Sequence, residues 1–189
     1  MGILIKMQDM SLTDTYRLFK AATVEYLARG VTTAQSGGVS AKLATGLSLF
    51  SKLGVTPQRL VVFPFETEFG EALLNGGYDP EDYNGDRVQM GAVKLVADDS
   101  IQGYTGYLSQ PYYTPYHGDA NYRGYPSIPR DKLFTQVAAL HKAGYQIAIH
   151  GNGDQAIEDI LDAFEAAQRE HPVEDPRMIL VHAQMARED

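Results

Sequence analysis

Two short β-branched runs, each closed by a histidine and separated by one amphipathic helix, constrain this chain more than any other feature. Residues 146–150 (QIAIH) precede Gly151, Asn152, Gly153 and Asp154, and residues 178–182 (MILVH) precede Ala183 and Gln184. Between them Ile157, Ile160, Leu161, Phe164 and Ala167 recur at helical spacing and share one face, with Asp154 or Asn152 available as the cap. Strand, helix and strand in that order predict a parallel pair joined by a crossover helix. His150 and His182 then emerge at the same C-terminal edge of one sheet, where α/β folds and (β/α) barrels carry their chemistry. Two neutral imidazoles converging on one edge suit a metal ion.

The same alternation runs through the rest of the chain. Residues 11–14 (SLTD) form a capping box, and the helix it starts stops at Gly30. Residues 31–35 read as a strand ending in a Ser36-Gly37-Gly38 turn. Leu43, Leu47, Phe50 and Leu53 mark a helix closed by Gly54. Residues 59–65 (RLVVFPF) are too uniformly apolar for a sheet with one wet face. A Gly/Asp/Pro-rich loop follows over 75–87, then a third strand over 88–97, a long loop over 98–127 and a helix over 131–143. Five strands in β-then-α order imply a parallel sheet, either open or part of a barrel. A complete (β/α)8 barrel takes roughly 250 residues, and the sequence stops just after a strand, so it is expected to be a piece of something larger.

Composition excludes several classes. Among 189 residues 44% are hydrophobic, enough for a full core, and the formal net charge is −8 without a basic run. That argues against nucleic acid or an anionic membrane as partner. No cysteine is present, so disulfide scaffolds and thiolate metal sites are out. The apolar stretch over residues 2–7 is too short for a signal peptide or a membrane span, and a soluble cytoplasmic protein is the expectation. P-loop, GxGxxG, GxSxG and HExxH patterns are all missing.

Several residues stand out chemically. Lys94 lies inside an apolar strand (GAVKLVA), where a buried ammonium must be paired, lose its proton or be modified unless the side chain snorkels to solvent. His150 is read as a ligand or as part of a helix-capping turn, and Asp154 can cap the helix or orient an imidazole. Asn152 belongs to the same turn. Gln184 can bind substrate or lock its loop. Seven of the twelve tyrosines fall between Tyr104 and Tyr125, which suggests a lid over an apolar or aromatic substrate, or one that only packs on a rim. Asp98, Asp99 and Ser100 at its root can hold the loop or touch the site. His117, His141 and His171 are weaker candidates.

VKLVADDSIQGYTGYLSQPY, GYQIAIHGNGDQAIEDILDAFEAAQ and DPRMILVHAQ, preceded by GVTTAQSG, resemble consecutive blocks of amidohydrolase family 3. These are metal-dependent hydrolases that include N-substituted formamide deformylases. The resemblance covers most of the chain, with Asp99 standing where the family more often has glycine. It implies a partial (β/α)8 TIM barrel, with residues 1–189 a single fragment supplying about strands 2–6. It also implies one or two divalent metals, zinc being the expected ion, with Lys94, His150 and His182 as ligands. The matching lysine of related enzymes is carboxylated and bridges two metals. The family's His-x-His pair and its strand-eight aspartate have no counterpart here, so no catalytic set is complete.

The implied reaction is hydrolysis of a C–N bond in a small-molecule amide or N-formyl substrate by metal-activated hydroxide, with the fragment inactive in isolation. Unpaired barrel edges predict a homo-oligomer. The alternative is a non-catalytic small-molecule-binding or scaffold α/β domain. A phosphate cradle at residues 151–153 is a third reading, opposed by the charge of Asp154.

Overall fold

A computed structural model describes residues 11–188, and the apolar stretch at residues 2–7 lies outside them. The chain divides into two compact units, one built from residues up to Val62 together with Asp79–Met90, the other from Phe63–Tyr78 and from Gly91 onward.

The first unit starts with helix α1 (Leu12–Ala28), whose capping box forms as expected: the Ser11 hydroxyl accepts from the Asp14 amide at 3.1 Å and donates to its carboxylate at 2.7 Å. Strand β1 (Thr33–Val39), helix α2 (Ala41–Lys52), strand β2 (Arg59–Pro64) and strand β3 (Val88–Met90) follow, and the sheet order is β1-β2-β3. Residues Ser36, Gly37 and Gly38, expected to turn, lie inside β1. Type II, I′ and II′ turns place a central residue at positive φ, and neither glycine adopts one. Tyr16 and Phe19 of α1 pack their rings on Phe50 of α2, with centroids 6.1 and 5.5 Å away.

The run over 88–97, expected as one strand, is two. Met90 pairs with Val62 of β2, whereas Val93 begins β4 (Val93–Val96) and pairs with Ile147. The Asn84 carboxamide takes the Met90 amide at 2.7 Å, so a side chain supplies the partner there. An unbroken apolar run cannot signal a change of neighbour, because both strands are buried. The described residues therefore hold six strands rather than five.

In the second unit, β4, β5 (Ile147–Gly151) and β6 (Ile179–His182) form a parallel sheet in that order. Two short helices, α3 (Glu66–Phe69) and α4 (Ala72–Asn75), precede it. Helices α5 (Arg130–Lys142) and α6 (Asp154–Glu170) pack together, burying Leu133, Val137, Leu140, Ile160, Ala163 and Ala167. The Arg130 guanidinium ties the pair by bonding Asp159 and, at 2.6 Å, Asp162. Leu161, expected on the buried face, is exposed. It sits at the margin of the apolar stripe, beside a groove it shares with Leu180 and Ala186.

Among the described residues no helix is long and apolar enough to cross a membrane. Gly46, inside α2, has an ordinary φ and would place a Cβ in open space. Gly46→Ala is therefore expected to stabilise the chain by about 0.5–1 kcal/mol through helix propensity. A urea midpoint that stays put or falls would contradict this packing.

Candidate metal centre

Lys94 occupies the middle of β4, opposite Ala148 of β5, and bridges Phe65 on its other side. Valine and leucine flank it and the residue is only 5% exposed, so it does not snorkel to solvent. Removal from water penalises its charged form and lowers its pKa from 10.5 to about 8. No carboxylate pairs with it among the described residues.

Strands β5 and β6 end in register, Gly151 facing His182, which brings the two imidazoles together as expected. The rings of His150 and His182 meet edge to face with centroids 4.5 Å apart. His150 is depressed below the ordinary histidine range by burial, and the charges of His182 and Lys94 push the same way, against the Asp99 carbonyl and Asp98. It is therefore neutral at pH 7, the form a metal ligand needs. His182 and Ala183 both adopt left-handed backbone, with φ of 76° and 50°. Such conformations strain residues that carry a Cβ. They are held by bonds from Ala183 N to the Gly151 carbonyl at 3.0 Å and from Met185 N to the Asn152 carbonyl at 2.9 Å.

The turn after β5 is organised by Asp98, which the sequence offered as a residue that holds the long loop or touches the site. Its side chain is fully buried. One oxygen accepts from Asn152 N at 2.8 Å, the other from Gly153 N at 2.8 Å and Tyr107 N at 2.9 Å. His150 Nε2 lies 3.9 Å from the same carboxylate, outside hydrogen-bond reach. Asn152 is buried as well, and its amide nitrogen donates to the Asp99 carbonyl at 2.9 Å while lying 3.0 Å from His150 Nε2. Gly153 is sterically required, because a Cβ there would collide with the Tyr107 carbonyl.

The other expected site residues lie around this edge in different ways. Asp99 is exposed: its carbonyl faces His150 Nε2 at 3.5 Å and its carboxylate accepts from Thr105 at 3.2 Å. Neither Asp154 nor Asn152 caps α6, whose N-cap is Gly153 without a side-chain bond. Asp154 instead accepts from the Ser109 amide at 2.9 Å, the Ser109 hydroxyl and Arg187 at 2.9 Å. Burial works to raise its pKa, but the Ser109 bonds and the Arg187 charge outweigh it and hold the carboxyl low. Gln184 is exposed.

Tyr104 has a left-handed backbone and packs its ring on Tyr112 and Tyr116, at 4.9 and 5.1 Å. Tyr122 continues the group against Tyr112 and Tyr116. His141 is buried and bonds the His171 carbonyl at 2.7 Å, which gives it a packing role.

The donors present, two imidazoles in ring contact and an amine that burial brings towards neutrality, fit part of a divalent-metal site. Among the described residues no group of three or more His, Cys, Asp or Glu side chains is placed to hold an ion.

Comparison with known proteins bears on the family and the fold. Residues 2–189 match the profile of the amidohydrolase family. YtcJ of Bacillus subtilis is 31% identical over 106 residues, which make up 56% of this chain and 18% of YtcJ. LONG AFTER FAR-RED 3 of Arabidopsis thaliana is 34% identical over 95 residues, 50% of this chain and 16% of that protein. Crystal structures of uncharacterized metal-dependent hydrolases from Pyrococcus furiosus and Pyrococcus horikoshii superpose with TM-scores of 0.70 and 0.69, at 23% identity in both cases. The superpositions cover 88% and 87% of this chain but only 34% and 33% of theirs. The α/β fold with parallel strands thus stands as expected and is consistent with part of a barrel, while the matched segments span less than a fifth of the curated relatives.

Lys94 has a pH signature of its own. Its folded pKa lies below the unfolded one, so the full penalty applies below about pH 8 and is relieved as pH rises towards 10.5. That gap is worth at most about 3 kcal/mol. In metal-free protein Lys94→Met should therefore raise stability at pH 7 by up to that amount and flatten the rise between pH 8 and 10. Denaturant titrations of both proteins at the two pH values decide it, and an equally pH-dependent variant would refute the assignment.

Proposed function

The chain belongs to the amidohydrolase family, and from that premise we propose that it forms part of a metal-dependent hydrolase acting on the C–N bond of a small-molecule amide or formamide. The observation that carries this reading is the pair of imidazoles at the ends of β5 and β6, 4.5 Å apart, on a sheet whose neighbouring strand buries Lys94. His150, His182 and Lys94 are the residues that would hold the ion, with zinc the expected metal. A divalent metal bound there supplies a Lewis acid that polarises a carbonyl and acidifies water. That the Pyrococcus proteins sharing this fold are metal-dependent hydrolases supports a metal-assisted hydrolysis here.

The chain's own residues prepare that edge. Burial keeps His150 in its neutral, electron-donating form. Its Nε2 faces the Asn152 amide and the Asp99 carbonyl, which orient the ring. Lys94, with a pKa lowered to about 8, reaches its unprotonated form at a lower pH than a solvated lysine, as carboxylation of its amine would require. The tyrosine group offers flat apolar surface with polar tips, suited to a small substrate with an aromatic or apolar substituent. An N-formyl amine is the favoured substrate class within that range.

Two imidazoles and a lysine do not complete a hydrolytic set, so the 189-residue chain alone is expected to be inactive or nearly so. A non-catalytic binding or scaffold domain is the second reading, favoured by the lack, among the described residues, of a carboxylate grouped with the two imidazoles as a further ligand.

Zinc titration with a chromophoric competitor separates the two. Under the first reading the chain binds zinc, and His150→Ala and His182→Ala each weaken binding by more than about tenfold. Indifference of both variants, or no uptake at all, favours the scaffold. Hydrolysis of an N-formyl amine by the metal-loaded chain, lost on His150→Ala, would contradict its expected inactivity.

A further inference from the structure

We propose that Asp98 is a positioning residue that couples the imidazole edge to the tyrosine loop, so that the metal side and the substrate side of the site are set by one carboxylate. This rests on reading the His150/His182 edge as the metal centre. The geometry, however, belongs to the chain itself. Asp98 lies two residues past the end of β4, the strand that carries Lys94. Its Oδ1 holds Asn152 N, and Asn152 is the residue whose side chain lies between His150 Nε2 and the Asp99 carbonyl. Its Oδ2 holds Gly153 N and Tyr107 N, and Tyr107 belongs to the long loop. The three amides come from two segments 45 or more residues apart in sequence.

No other acceptor can replace the carboxylate without loss. It is fully buried, and its two oxygens take three strong N–H donors. A carboxamide offers one acceptor oxygen and turns two N–H groups towards donors already there. Asp98→Asn therefore leaves at least one of the three amides without a partner.

A second anchor provides the control. Asp154 also holds the loop, through Ser109, but it touches neither the backbone of Asn152 nor the His150 ring. If Asp98 only stabilised the loop, the two aspartates would behave alike. If it couples loop and edge, they separate.

The experiment uses the metal-free chain, so failure to bind zinc would sink the metal reading without touching this one. In Asp98→Asn, chymotryptic cleavage at the loop tyrosines should rise by about tenfold, as expected for losing a bond to a charged acceptor. The imidazole NMR resonances of His150 should shift while those of His141 and His171 stay in place. Asp154→Asn should speed loop cleavage and leave the His150 resonances unmoved. Unchanged His150 resonances in Asp98→Asn, or an equal shift in both variants, would overturn the coupling.

Should Asp98→Asn fail to fold, hydrogen exchange in the unaltered chain answers the same question. The amides of Tyr107, Asn152 and Gly153 should open as one unit, with protection alike to within about threefold. Protection of Tyr107 lower than the other two by more than about tenfold would mean that the loop moves independently, and the proposal would fall.

Discussion

A single buried carboxylate organises the second unit. An ionised side chain wholly removed from water is among the costliest groups a protein can contain, and it persists only where its lone pairs are taken up. Asp98 meets that requirement with backbone amides rather than a cation. The consequence is geometric. Once three N–H groups must point at one carboxylate, the turn after β5 and the loop at Tyr107 have little freedom left. Gly153 follows from the same demand, because the Tyr107 carbonyl passes where a Cβ would stand. The Gly-Asn-Gly-Asp sequence after His150 thus reads as the imprint of a carboxylate fifty residues upstream.

That use of Asp98 shapes the electrostatics next to it. Its oxygens are engaged by amides, and His150 Nε2 stays at 3.9 Å, beyond hydrogen-bond reach, so that burial outweighs the carboxylate's pull on the ring. The edge therefore carries two imidazoles and an amine with no carboxylate committed to them. Burial then disfavours the charged forms of both His150 and Lys94, and for His150 the charges of His182 and Lys94 add to it. Nitrogen donors whose charged forms are disfavoured by burial are poorly suited to holding an anion and better suited to a cation. The acidic balance of the chain as a whole, −8, does not alter this, since exposed charges are screened within about 10 Å at ordinary salt.

Much of this was legible before any coordinates, and the reasons differ by element. Helix α6 and strands β5 and β6 show clear periodicities, and the placement of His150 and His182 at one edge follows from parallel order alone. Capping chemistry placed the start of α1 for the same reason: the signal is local. What escaped depends on partners distant in sequence. Nothing in residues 88–97 announces that Met90 belongs with Val62 and Val93 with Ile147. The glycines of β1 carry turn chemistry, yet the pairing of β1 in its sheet overrides it. In the Asp98-Asp99 pair the sequence favoured Asp99 as the site residue, whereas the fully buried carboxylate is Asp98. Neighbouring residues at a strand end point in different directions, and which one turns inward is decided by the loop that comes to meet it.

The long loop shows how such a constraint leaves room for variation. It is fixed at its root by Asp98 and Asp154, and by bonds from Ser127 N to the Ala97 carbonyl at 2.7 Å and from Leu108 N to the Arg123 carbonyl at 2.8 Å. Between those anchors Tyr104, Tyr112, Tyr116 and Tyr122 pack mainly on one another, and Tyr113 is fully exposed. Ring against ring is a forgiving contact, since offset and tilted arrangements differ little in energy. Substitutions there can reshape the surface of the loop without disturbing the amides that hold the imidazole edge. The division is physical: the anchors are hydrogen bonds to buried charge and tolerate almost no change, while the tip is aromatic packing and tolerates a good deal. Residues 110–122 can therefore vary while the strand ends keep their geometry.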